Sequence, residues 1–111
     1  MKKVMISQPI SGKKTREIIE TREKLIKYLK ENGYEVIDNL LKDEWNDIEQ
    51  NIIHKELYFI GKSIACMSQC DAVFFADGWA VNRGCRIERL AAVLYNLEII
   101  NESDKEDNDG K

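Results

Sequence analysis

Residues Asp71–Asp77 read DAVFFAD. The apolar run inside it is too short for a helix and lacks the polar–apolar alternation of a strand with one wet face, so it reads as a strand covered on both faces. Such a strand belongs at the centre of a sheet with helices above and below. Upstream, Ile53, Leu57, Ile60, Ile64 and Met67 fall at spacings of 4, 3, 4 and 3 residues, one stripe of a helix ending near Gln69. Gly61 weakens that helix without breaking it. Downstream, Gly84–Tyr95 carries Ile87, Ala91, Ala92 and Leu94 in helical register; Asn96 fits a left-handed cap, and Leu97–Ile100 reads as a further strand.

The amino-terminal part repeats this alternation. Lys2–Ser7 (KKVMIS) is a strand that runs into a turn at Gln8–Gly12. Ile18, Ile19, Leu25, Ile26 and Leu29 then mark an amphipathic helix, with Thr15 as its expected N-cap and Asn32-Gly33 as its end. Tyr34–Asp38 reads as a second strand. Asn39–Asn51 has no clear period around Leu40, Leu41 and Trp45 and reads as a loop or lid. Residues 102–111 (ESDKEDNDGK) form an acidic tail expected to fray, outside a domain spanning residues 1–101.

Strands alternating with helices, joined by right-handed crossovers, predict an α/β flavodoxin-like or Rossmann-like three-layer sandwich. The expected sheet is parallel, with four strands or five, in the order 2-1-3-4. In that order the first and third strands are neighbours and the order reverses between them. Ligands of such sheets bind at this switch point, outside the carboxyl ends of the strands. The topology therefore brings together two loops, residues 8–14 and 77–84.

Composition narrows the class. At 111 residues, 43% hydrophobic and 33% charged, the chain has the balance of one globular domain. A net charge of −3 argues against a duplex nucleic-acid partner, which would need a basic face. The sequence has no apolar run of the roughly 18 residues that cross a membrane. The start MKKVMISQPI lacks the features of a signal peptide, so a cytoplasmic location is expected. Cys66, Cys70 and Cys85 read as free thiols. With His54 as the only histidine, no metal site is expected.

The second loop carries the most chemistry: Asp77, Gly78, Trp79, Asn82, Arg83 and Gly84, with Glu88 in the first turns of the next helix. Two carboxylates facing one pocket suit cleavage of an N-glycosidic bond. One attacks or stabilises the anomeric carbon, and the other gives a proton to the departing base. The helix start is expected to favour an ionised Glu88 by about 0.3 to 1 kcal/mol. Trp79 would stack on a base or pack under its loop. Cys85 lies near a helix start but has no evident histidine partner. In the first loop, Ser7, Gln8, Ser11 and Gly12, with Lys13 and Lys14 beside them, offer hydroxyls, backbone N–H groups and charge for a phosphate. The spacing is not that of a P-loop.

MISQPISG (5–12), CDAVFFADGW (70–79) and NRGCRIE (82–88) together resemble the nucleoside 2-deoxyribosyltransferase superfamily, in particular a branch of small domains of bacteria and their phages. The resemblance covers residues 2–101. It implies Glu88 as the nucleophile that forms a glycosyl-enzyme intermediate and Asp77 as the group that handles the base or its proton. It also implies a nucleoside or 5′-monophosphate substrate, no cofactor and a homo-oligomer, dimer or higher. Water as acceptor gives hydrolysis; a second base gives transfer. Arg89 and Leu90 depart from the small-residue helix face usual after the glutamate, and Gln8 stands where relatives often have glycine. The competing expectation is a nucleotide-binding sensor or sequestering module without turnover.

Overall fold

The computed structural model describes residues 1–38 and 53–104. The element order is β1 (Lys2–Ser7), α1 (Thr15–Glu31), β2 (Tyr34–Val36), α2 (Lys55–Met67), β3 (Ala72–Phe75), a 3-10 turn (Trp79–Val81), α3 (Arg83–Leu94) and β4 (Glu98–Asn101). The four strands are all parallel and ordered β2-β1-β3-β4, as expected. The proposed lid at 39–51 lies outside the described residues.

Strand alternation divides the core into two layers. Val4 and Ile6 of β1, with Ala72 and Phe74 of β3, face one side and pack with Leu25 and Leu29 of α1. Met5, Val73 and Phe75 face the other side and pack with Met67 of α2 and Ala92 of α3. All four residues of β3 are buried, which is why its sequence shows no polar face. Asn96 adopts φ 60° and Gly33 φ 87°, so both helix ends turn through the left-handed region where the sequence placed them.

Two local readings need correction. Lys14, not Thr15, is the N-cap of α1: Ile18 N–H donates to Lys14 O at 3.1 Å, so helical bonding starts one residue earlier. The buried side of α2 is also rotated from the expected stripe. Ser63 and Met67 are its buried residues, whereas Leu57 and Ile64 are 60% and 38% exposed. The element α2 packs on most extensively is α3, not a strand of the sheet. After β4, Glu102 Oε1 accepts a bond from Asp77 N–H at 2.9 Å. Among the described residues, no helix is long and apolar enough to cross a membrane.

Candidate functional site

A cavity of about 600 Å³ opens at the carboxyl end of β1. One wall is the loop after β1, with Gln8, Ile10 and Ser11; the opposite wall is the start of α3, with Asn82, Arg83 and Gly84. The amino-terminal half of α2 forms the third side, a contribution the sequence reading assigned to core packing. Glu88 and Arg22 also reach the cavity, although they are only 7% and 4% exposed.

Glu88 is held from two elements. Ser7, the last residue of β1, points to the α2/α3 side because of strand alternation, and its hydroxyl donates to Glu88 Oε1 at 2.5 Å. The hydroxyl of Ser63, on α2, also acts on this carboxyl and favours its charged form. Burial raises the Glu88 pKa above the ordinary carboxylate value, against the opposing pull of these two hydroxyls and the Arg22 charge. This reverses the expectation drawn from the helix start. Glu88 lies in the second turn of α3, where the dipole has faded and desolvation outweighs it. Burial likewise pushes the Cys85 thiol up to about 11, so it stays protonated at neutral pH and is no nucleophile.

Not all the expected site residues gather here. Gln8, Ser11, Asn82, Arg83, Gly84 and Glu88 line the cavity, and Ser7 supports it from beneath. Asp77, Gly78, Trp79 and Gly12 do not line it. Asp77 is exposed. Trp79 packs edge-on against Phe75 at 5.9 Å, while the Arg89 guanidinium lies 3.9 Å from the Trp79 ring centre and donates to Asn101 Oδ1 at 2.8 Å. Its role is packing and cation–π contact on the β4 side. The two loops do touch: a Cβ on Gly78, at φ 92°, would come within 3.4 Å of Pro9 Cγ. Asn82 caps α3, its Oδ1 accepting from Cys85 N–H at 3.0 Å. Arg83 forms an exposed ion pair with Glu56 at 3.2 Å.

The sequence reading missed Arg22 and Ser63. Each left a trace, a polar residue on the buried line of its helix: Arg22 between Ile18 and Leu25, Ser63 between Ile60 and Met67. The three cysteines are free, and the described residues hold no group of three or more His, Cys, Asp or Glu that could bind a metal.

The family model described as "Domain of unknown function (DUF4406)" matches residues 2–101. The chain belongs to this family. The DUF4406 match thus takes in β1 through β4 and every residue of the cavity wall named above. No curated protein matches the chain.

The raised pKa of Glu88 has a stability signature. A carboxyl whose pKa is higher folded than unfolded binds more protons in the native state, so its contribution is fully present below the unfolded pKa and is lost as pH rises through the folded one. Glu88→Gln removes this titration. Melting curves across pH should therefore show the variant gaining on wild type as pH rises from the acid side to neutrality. A difference that stays constant would mean Glu88 titrates normally.

Proposed function

We propose that the chain is a cytoplasmic enzyme that cleaves or exchanges the N-glycosidic bond of a nucleoside, deoxynucleoside or 5′-monophosphate, without a cofactor. The observation that carries this reading is the buried Glu88 carboxyl at the cavity, held by the Ser7 hydroxyl at 2.5 Å. In the proposed reaction a Glu88 oxygen attacks C1′ of the sugar. The C1′–N bond breaks, and its electron pair leaves with the base, which takes a proton from solvent at the cavity mouth. Water or a second base then attacks C1′, gives up a proton to solvent and frees the carboxylate.

Ionised Glu88 is the reactive form. Activity should therefore fall on the acid side through a limb displaced upward from the ordinary carboxylate range. The decisive assay is a chromatographic time course against nucleosides, deoxynucleosides and their 5′-monophosphates, each with a second free base present. Release of free base supports hydrolysis, a new nucleoside supports exchange, and an intact pool overturns the reading.

An intact pool together with saturable binding would support the second reading, a nucleotide sensor or sequestering module. The position of Asp77 favours that alternative, because among the described residues Glu88 is the only acid at the cavity that is itself buried.

We also propose a homodimer or higher oligomer. Leu57 on α2, with Ile87, Leu90 and Leu94 on α3, are exposed large apolar residues. Leu57 and Ile87 also line the cavity, so a second copy seated on this face would cover the mouth of the site. Light scattering should give at least twice the 12.9 kDa chain mass, and Leu94→Glu should shift it toward the single chain. A wild-type monomer would remove the proposal.

A further inference from the structure

The buried face of α1 consists of Ile18, Arg22, Leu25 and Leu29. Leu25 and Leu29 pack on the sheet as a core helix requires. Arg22 places a guanidinium on the same line, where an aliphatic side chain would pack without losing the hydration of a charge. Arg22 donates from a terminal nitrogen to Gln8 Oε1 at 3.3 Å, and Gln8 is itself fixed through Nε2 to Ile18 O at 3.0 Å. Asp38 accepts from Nε at 3.1 Å. The Arg22 side chain is 5% exposed, whereas that of Asp38 is 56% exposed.

A buried cation at a cavity wall thus has a carboxylate partner that already faces water. Burial lowers the Arg22 pKa even against the pull of Asp38 and Glu88. The charges the sequence offered for a phosphate lie elsewhere: Lys13 and Lys14 are exposed and do not line the cavity.

We propose that Arg22 recognises an oxyanion carried by the ligand, which displaces Asp38 from the guanidinium. With the sugar placed over Glu88, the group that reaches Arg22 is a phosphate monoester on that sugar. The ligand class is then nucleoside monophosphates in preference to free nucleosides. Planar guanidinium donors match phosphate oxygens as well as carboxylate ones, so the exchange keeps the hydrogen bonds and adds charge. This inference rests on the reading of Glu88 as the residue that faces the sugar.

The test is calorimetric titration of the full chain carrying Glu88→Gln, which blocks turnover. The probes are the four deoxynucleoside 5′-monophosphates and their parent deoxynucleosides. The monophosphates should bind about tenfold or more tightly than the nucleosides, the scale of one charge-assisted hydrogen bond. Adding Arg22→Met should erase that preference and leave nucleoside affinity in place. Adding Asp38→Asn should strengthen monophosphate binding, because it removes the competing carboxylate. The sign of this last effect separates recognition from a merely structural ion pair, and it decides the matter even if Arg22→Met does not fold. Weaker monophosphate binding in Asp38→Asn, equal losses for both ligand sets in Arg22→Met, or no monophosphate binding at all would overturn the inference. Phosphate-selective binding with no base release by wild type would leave it standing while removing the proposed glycosidic chemistry.

Discussion

Glu88→Gln and Glu88→Ala are expected to lower base release by about 10³-fold or more, the scale seen when a covalent nucleophile is removed. Both remove the attacking carboxylate, and glutamine keeps the cavity wall filled. Glutamine keeps the side-chain length and an acceptor for the Ser7 hydroxyl, so its loss of rate cannot be assigned to collapse of the pocket. Trapping a glycosyl-enzyme ester by mass spectrometry in wild type but in neither variant would add direct support. Asp77→Asn serves as the contrast. From an exposed position off the cavity it should change the rate by far less than Glu88→Gln. Unchanged turnover in both Glu88 variants, in an assay with clear wild-type signal, would end the nucleophile assignment.

The largest expected loss of stability comes from Phe74→Ala. Phe74 is fully buried in the central strand, packs with Leu25 and Leu29, and lies with its ring centre 6.3 Å from that of Tyr28. Truncating such a side chain removes its transfer free energy and leaves a cavity that the flanking strands cannot close, at a cost of about 3 to 5 kcal/mol. That is a large part of the roughly 5 to 15 kcal/mol that holds a typical domain together. Urea unfolding should show a much lower midpoint with an unchanged slope. Glu23→Ala, on the exposed side of α1, should stay within about 0.5 kcal/mol of wild type. A small effect at Phe74 would mean that the layer between α1 and the sheet repacks.

Much of this architecture was legible because single residues report on one variable each. The unbroken apolar run at 72–76 states burial on both faces, and Gly33 and Asn96 mark chain reversals that few residues tolerate. The flavodoxin-like pattern of alternating strands and helices then supplies the strand order.

The site was legible in part. The end of β1 and the start of α3 meet because the topology demands it, which brings Ser7 to Glu88 across 81 positions of sequence. The α2 wall escaped the reading because its apolar residues fit a core helix equally well, and periodicity does not say which neighbour covers a stripe. Arg22 and Ser63 escaped because each interrupts a stripe by one residue, and a stripe survives one interruption. Asp77 was overread. It ends a strand beside the switch point, but its exposed side chain is not part of the cavity wall, and its backbone N–H is taken by Glu102.

The placement of Ser7 bears on how such a chain can change over evolutionary time. It is the last residue of a strand in which Val4, Met5 and Ile6 alternate between the two core layers, so site and core share one reading frame along β1. Inserting a single residue within β1 would send Ser7 to the α1 side and reverse the facing of every strand residue between the insertion and Ser7. The exposed turn at residues 11–14 carries no such constraint and is free to vary in length. Diversity in what the cavity accepts should therefore accumulate through that turn, while β1 is inherited as a unit of fixed length.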